Sequence, residues 1–416
     1  METKNKDIDR RTFLKTTSMG SAALALSTGL AGNVLASKGV GEISSKKMPT
    51  RILGKTGVPV SILGMGGSIG TSGYQLLLRV GLNMGINYWD SSYNYGNGKN
   101  EEVIGQFFNK YSEERKEIFQ VTKATRTTEP SEMTKQLNRS LERMQTEYID
   151  LYFIHMLQDP EKLTPEIKEW ADQKKKEGKI RFFGFSCHAN MARMLTRASE
   201  LGWIDAVMSS YSYQLLKNDD MQKAIDACVK ANIGLSAMKT QGQRMGPPPR
   251  TEAQTVVQEP EDLSAITHFI DQGYTLEQAK LKLVLEDERI TTCVSEMTNV
   301  TMLRDNVAAA TDGVKLSDMD RDILKRLAHY NRSFYCQGCM SCESAMGQEC
   351  RIPDVLRYMM YYNGYGKRDD ARRLFRELPK NIKSSLASRD YSPAELVCPN
   401  KIKIGRTMRE AVSLLA

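Results

Sequence analysis

Histidine is scarce in this chain, long hydrophobic runs are missing and the charge is nearly balanced. Each shortage removes a class of function. With four histidines in 416 residues, any one of them, His155 included, reads first as a hydrogen-bonded core residue. The adjacent Cys187 and His188 make no metal site by themselves. The apolar segment near the amino end, Ala22 to Ala36, is too short and too rich in Ser, Thr and Gly to span a bilayer, and no cysteine at its end offers a lipid anchor. No permanent membrane anchor is therefore expected. The net charge is +8, and no aromatic-basic cluster accompanies it, so the surplus reads as solvated surface and not as a nucleic-acid footprint. What remains is an ordinary globular composition, long enough for one large domain and a smaller addition.

The chain is organised around Trp89-Asp90-Ser91-Ser92-Tyr93-Asn94-Tyr95-Gly96. A mostly apolar stretch from Ile86 runs into an acid, and a phenol follows five positions later beside a turn-forming glycine. Two later strand-like runs also deliver a polar residue: Ile118 to Thr122 ends in Lys123, and Ile149 to Ile154 ends in His155. The steps from Asp90 to Lys123 and from Lys123 to His155 are 33 and 32 residues, one strand-plus-helix unit each. Further helical patterns cover Tyr74 to Met84, Glu101 to Lys110, Pro130 to Met144 and Pro165 to Lys176. Strands are expected at Val58 to Gly64, Lys179 to Phe185, Asp205 to Ser209, Ile233 to Met238 and Thr291 to Val294. Gln243 to Pro260, with three consecutive prolines, is expected as a loop. Alternation of this kind predicts an α/β fold with eight parallel strands closed into a barrel, whose strand ends meet at one face.

At these positions the chain resembles the aldo-keto reductases, with Asp90, Tyr95, Lys123 and His155 matching their catalytic tetrad. Arg51 to Gly57 with Val60 to Gly64 resembles the family's opening strand, Gly178 to Ser186 its fifth strand, and Asn299 to Asn306 its last barrel helix. The resemblance implies a (β/α)8 TIM barrel that interconverts a carbonyl and an alcohol by hydride transfer from NAD(P)H. In that scheme Lys123 lowers the pKa of Tyr95, Asp90 holds Lys123 charged, and His155 orients the carbonyl oxygen. Tyr95 is then the general acid or base. The resemblance also implies a cofactor site at Gly66, Ser186, Cys187, Met208, Lys239, Ser295 and Asn306. Several of these depart from the family pattern: Cys187 replaces an asparagine, Met208 a glutamine, and Ser295-Glu296 a proline-glycine. Thr298 stands where a basic residue usually grips the ribose 2′-phosphate. An acid at 296 would repel that phosphate, so the choice between NAD and NADP stays open.

Beyond residue 330 the character changes. Cys336, Cys339 and Cys342 follow one another at intervals of three, then come Cys350 and Cys398-Pro399. The triple spacing gathers three thiolates as an iron-sulfur cluster requires; zinc and disulfides are the alternatives. The tail resembles a bacterial ferredoxin module in which the second motif has kept only its last cysteine. That resemblance implies one [4Fe-4S] cluster held by Cys336, Cys339, Cys342 and Cys398, with Cys350 the competing fourth ligand. Cys187, Cys228 and Cys293 read as ordinary buried thiols.

At the other end, Asp9-Arg10-Arg11-Thr12-Phe13-Leu14-Lys15 before the mild apolar segment looks like a twin-arginine export signal, with Val34-Leu35-Ala36 as a cleavage site. The expected layout is a signal over 1–36, a linker over 37–49, the barrel over 50–330 and a helical, ferredoxin-like iron-sulfur extension over 331–416. The expected setting is periplasmic. The expected partners are a small carbonyl or alcohol, the export machinery and an electron-transfer protein. The alternative reading is an electron-transfer or redox-sensing module with a vestigial barrel.

Overall fold

Short runs buried on both faces alternate with amphipathic segments from residue 63 onward, and the computed structural model shows what they build. The structure describes residues 47–67, 74–242 and 260–416. The expected export segment and nearly all of the loop from Gln243 lie outside the described residues. A hairpin of β1 (Thr50–Ile52) and β2 (Pro59–Ser61) comes first. Eight parallel strands then follow: β3 (Leu63–Gly66), β4 (Tyr88–Asp90), β5 (Phe119–Thr125), β6 (Ile149–His155), β7 (Ile180–Cys187), β8 (Ala206–Ser210), β9 (Gly234–Met238) and β10 (Thr292–Glu296). They pair in sequence order, and β10 returns to β3 to close the barrel. The strands β3 to β6 are buried at every residue, as a parallel sheet covered on both faces must be.

The opening strand differs from the sequence expectation of one run over Val58 to Gly64. That run breaks at Ile62: its first part pairs antiparallel with Thr50–Ile52, and only its second part enters the barrel. The hairpin closes the amino-terminal end. Its Leu53 and Val60 are fully buried in the barrel interior. Gly54 lies so close to β9 that a Cβ there would stand 2.2 Å from the Gly234 nitrogen.

The outer layer is α1 (Tyr74–Asn83), α2 (Lys99–Lys110), α3 (Pro130–Met144), α4 (Pro165–Lys176), α5 (Met191–Leu201), α6 (Asp219–Lys230), α7 (Pro260–Asp271), α8 (Leu276–Leu285), α9 (Val300–Thr311) and α10 (Asp318–Tyr330). Pro130 and Pro165 open α3 and α4, where a missing N–H costs nothing. Thr275 and Gln278 form a capping box at α8. Among the described residues no helix is long and apolar enough to cross a membrane.

The extension is helical: α11 (Ser341–Met346), α12 (Ile352–Asn363), α13 (Arg368–Arg376), α14 (Lys380–Ser385), α15 (Ser392–Val397) and α16 (Ile404–Leu415). It has its own core, in which Val355, Met359, Phe375, Ile404 and Met408 meet. Every residue of α12 from Ile352 to Met359 is buried, which a helix with one solvent face would not show. The other side of α12 faces the barrel. Gln158 donates to Asp354 at 3.2 Å, Lys239 to the Tyr361 hydroxyl at 3.1 Å, and ion pairs join Lys367 to Glu296 and Glu377 to Arg126.

The cysteine loop is docked through Gly338, whose carbonyl accepts from the Asn190 amide at 2.6 Å. Gly338 has φ +68°, and a Cβ there would sit 2.5 Å from the His188 carbonyl oxygen. Both facts demand glycine. Replacing it, Gly338→Ala, is expected to lower stability by about 1–3 kcal/mol, read by urea unfolding; an unchanged midpoint would show that the loop does not seat here.

Candidate active site

The inward side of each strand is set by alternation, and the site follows from where each inward row ends. In β4 the row is Tyr88 and Asp90. In β5 it is Phe119, Val121 and Lys123, and in β6 it is Leu151, Phe153 and His155. The aromatic and aliphatic members fill the barrel interior, and the polar members stand above them. Tyr95 is carried on the one-turn helix Tyr95–Gly98, bent by left-handed Gly96 and Asn97.

The four expected catalytic side chains share one place. The Lys123 ammonium, 1% exposed, lies 2.5 Å from Asp90 Oδ1 and 2.5 Å from the Ser91 carbonyl oxygen. It also stands 5.0 Å from the centre of the Tyr95 ring. The Tyr95 and His155 rings meet nearly edge-on at 5.7 Å. His155 Nδ1 is 3.1 Å from Ser92 Oγ, which leaves Nε2 for a ligand.

The electrostatics correct one expectation. Lys123 was expected to lower the Tyr95 phenol; instead burial pushes it well above its ordinary value, with Asp90, Tyr361 and Glu296 adding to the effect. Lys123 is engaged by Asp90 and Ser91 and approaches the ring of Tyr95. Burial pushes the Lys123 amine down, opposed by Asp90. His155 is held well below its usual range, first by burial and then by Lys123, Arg357, Lys239 and Arg126. The imidazole is therefore neutral.

The expected cofactor residues divide. Ser186 ends the inward row of β7, and its Oγ accepts from the Met156 amide at 3.0 Å. Cys187, the next residue, points the other way and packs in the layer between strands and helices near Cys228. Alternation removes it from the site. Met208 lies inside the barrel, and the β8 row reaches the mouth at Ser210, which meets His188 Nδ1 at 3.0 Å. Ser295 also faces outward and bonds Asn306 at 3.1 Å and Gln241 at 3.0 Å. Gly66 runs beside it, where a Cβ would stand 2.8 Å from the Ser295 carbonyl. Lys239 is at the mouth with its amine on Tyr361.

Sequence reasoning missed the extension's share of the site: Arg357, Tyr361, Tyr365 and Lys367. Burial favours a higher pKa for the Tyr361 phenol, but Lys239, Arg357 and Lys367 outweigh it and hold the phenol below its ordinary value. A signal existed in the crowded run Tyr358, Tyr361, Tyr362 and Tyr365, more aromatic than a surface helix needs.

No two of the eight cysteines are joined by a disulfide. Burial pushes Cys336 up to about 12, with Cys339 and Cys398 adding to it and the Gly338 amide and Arg357 opposing. Cys342 is raised by burial, then by Cys336, Glu343 and Cys339. Cys350 is occupied otherwise, accepting from Arg389 Nη1 at 3.0 Å. Among the described residues no three His, Cys, Asp or Glu side chains are gathered closely enough for a single metal ion. A four-iron cluster places iron and sulfide between its ligands, so its cysteines stand further apart than those around one ion. The all-thiol donor set, mutually sensed across two segments, fits such a cluster better than zinc.

The profile of the aldo/keto reductase family matches residues 71–329. The aldo-keto reductase yakc [NADP(+)] of Schizosaccharomyces pombe is 34% identical over 208 residues, which are 45% of this chain and 59% of that protein. The match to L-galactose dehydrogenase of Arabidopsis thaliana is 23% identical and covers 68% of this chain and 93% of that one. Among solved structures, an aldo-keto reductase from Bacillus halodurans in its holo form superposes with a TM-score of 0.56 at 21% identity, covering 67% of this chain and 96% of its own. One from Klebsiella pneumoniae in complex with NADPH gives 0.53 at 22%, covering 68% and 95%. These structural likenesses show the barrel fold.

A histidine folded with a depressed pKa makes the protein less stable in acid, because below pH 6.5 the unfolded chain binds a proton that the folded chain refuses. As pH falls below 6.5, His155 is expected to add to the loss of stability. Urea unfolding of wild type and His155→Asn at pH 7 and 5 measures this; equal acid losses in the two would show that residue 155 does not stay neutral.

Proposed function

The chain belongs to the aldo/keto reductase family, and from that premise we propose that it interconverts a small carbonyl compound and its alcohol at the barrel mouth. The observation that carries the reading is the buried Lys123–Asp90 pair under the Tyr95 ring, with neutral His155 at its edge. Bound NADP(H) would supply or accept the hydride. The relative named for NADP(+) and the structure solved with NADPH support the phosphorylated form. Lys367 supports it too, because its ion pair with Glu296 answers the charge that would repel a 2′-phosphate. Ser186, Lys239 and Glu296 at the inner mouth, with Gly66, Ser295 and Asn306 beside them, would hold the cofactor.

The residues divide the remaining work. His155 Nε2 donates a hydrogen bond to the carbonyl oxygen and fixes its position. Tyr95, its phenol held high by burial, keeps its proton across neutral pH and gives it to the oxygen as negative charge develops. Lys123, fixed by Asp90, stabilises the resulting phenolate from 5.0 Å beneath the ring centre. Reduction is therefore flat with pH around neutrality. Oxidation needs the phenolate and rises as pH increases.

The extension is proposed to carry one [4Fe-4S] cluster on Cys336, Cys339, Cys342 and Cys398. The mutual influence of these thiols supports it, as does the engagement of Cys350 by Arg389. Export through the twin-arginine route, a periplasmic setting and an electron-transfer partner are proposed from the sequence motifs alone. The second reading, a redox module with a disused barrel, draws on the extension's hold on Lys239 and Glu296.

Tyr95→Phe is expected to lower kcat for carbonyl reduction by roughly 10²–10⁴-fold while leaving iron content unchanged. Undiminished turnover would remove Tyr95 as the proton donor, and a wild-type protein that turns over no carbonyl substrate would favour the redox module. For the cluster, anaerobically purified Cys398→Ser is expected to lose iron and visible absorbance, and Cys350→Ser to keep both; the reverse pattern would hand the fourth ligand to Cys350.

A further inference from the structure

A neutral His155 brings one ring proton to the site, and the nitrogen that carries it decides what the ring can offer. With the proton on Nε2 the mouth meets a donor; with the proton on Nδ1 it meets a lone pair. On the Nδ1 side stand three short polar side chains: Ser92, Thr125 and, next to Tyr95, Asn94.

The three form a closed set with the ring. Ser92 Oγ lies 3.1 Å from His155 Nδ1 and 3.2 Å from both Asn94 Oδ1 and Thr125 Oγ1. Thr125 Oγ1 lies 3.1 Å from Asn94 Oδ1 and 3.5 Å from His155 Nδ1. Ser92 and Thr125 are buried. Both are also held from outside the set. The amides of Ser91 and Tyr93 donate to the carbonyls of Val121 and Lys123 at 2.8 and 3.2 Å, which pins Ser92 between them. Gln136 clamps Thr125, accepting from its amide at 2.7 Å and donating to its carbonyl at 3.2 Å.

Counting protons within this set favours one tautomer. An amide oxygen only accepts, so the hydroxyls of Ser92 and Thr125 both donate to Asn94 Oδ1. Each has then spent its single proton, and neither has another for Nδ1. The imidazole, kept neutral first of all by burial, completes the set by donating from Nδ1 to Ser92 Oγ. That arrangement holds three hydrogen bonds. With the proton on Nε2 instead, Ser92 must donate to Nδ1 and release Asn94, and two remain.

We propose that Ser92, backed by Asn94 and Thr125, is a positioning residue that keeps the His155 proton on Nδ1 while the mouth is empty. Nε2 then presents a lone pair suited to the hydroxyl of an alcohol. A bound carbonyl needs the other tautomer: the ring proton stands on Nε2, the Ser92 hydroxyl turns to Nδ1, and the number of protons in the set is unchanged. The inference rests on the reading of His155 as the residue that meets the reacting oxygen, and it adds what decides whether the ring donates or accepts there.

The test is 15N NMR of the full chain labelled at its four histidines, with His155→Asn identifying the signals of residue 155. A bare ring nitrogen resonates far downfield of a protonated one, so the spectrum reads the tautomer directly. Wild type is expected to show a protonated Nδ1 and a bare Nε2. Asn94→Leu removes the acceptor that two hydroxyls share, and should shift the ratio toward protonated Nε2 by about 2- to 10-fold, the worth of one hydrogen bond. Ser92→Ala should shift it at least as far, and Ser92→Thr, which keeps the hydroxyl, should restore it. Asn94 is only half-buried, so its variant carries the test if the Ser92 variants fail to fold. A wild type already protonated on Nε2 overturns the inference, as does a ratio that neither Asn94→Leu nor Ser92→Ala moves. Either result leaves the reductase reading standing, because the spectrum needs no turnover. Conversely, a protein that reduces no carbonyl yet shows the expected tautomer and shifts upholds the set and sinks the reductase.

Discussion

A lysine ammonium sealed inside a barrel is tolerable only while an acid and a carbonyl hold it, and this contact sets the terms for the rest of the site. Desolvating an ammonium costs several kcal/mol, and its partner returns that only with close geometry. Asp90 and the Ser91 carbonyl supply it, both from the segment that ends β4. Removing either partner would leave an unanswered charge, so the strand end, the loop behind it and the lysine of β5 are fixed as one unit. Tyr95 lies five residues along the same loop and inherits that fixity. The positive charge under its ring is thus a built-in feature, present before any substrate arrives. A site organised in this way need not rearrange when charge develops.

The second constraint is that the mouth is not open water. The buried α12 lies across it, and the extension answers the mouth's charges one by one: Tyr361 on Lys239, Lys367 on Glu296, Glu377 on Arg126. Each contact lowers the local dielectric and strengthens the others. Burial drives the Tyr95 phenol up and the His155 imidazole down, and Tyr361 and Arg357 of the extension add to the two shifts.

Much of this was legible in the sequence, and the limits have physical causes. The strand-end residues were readable because a parallel barrel repeats one unit of near-constant length, so 33- and 32-residue steps had to land on the same face. Pro130 to Met144 and Pro165 to Lys176 were readable to the residue, since a proline at the first turn and an amphipathic face fix both ends. The break at Ile62 was not, because a hairpin strand and a barrel strand share one apolar composition and only tertiary pairing separates them. Cys187 was misplaced because neighbours on a strand face opposite sides, and a resemblance read residue by residue ignores that alternation. The depression expected for Tyr95 failed because proximity of an ammonium was weighed without burial, the larger effect here. The tyrosine run around Tyr361 marked α12 as covered, but no local pattern says which surface a tail will cover, so the place of Arg357 and Tyr361 at the mouth was out of reach.

Arg357 ties these threads together. It stands between the cysteine loop and the barrel mouth: its charge opposes the burial that raises Cys336, and also helps to keep His155 neutral. Two sites that share a buried cation are not electrically independent, because low-dielectric surroundings carry a charge at one to the other with little screening. A negative charge gained at the cysteines would offset Arg357 as felt at the mouth and ease protonation of His155. Loss of that charge would do the opposite. A charge on the cysteine loop would thus be felt at the barrel mouth through a fixed cation, with no change of shape.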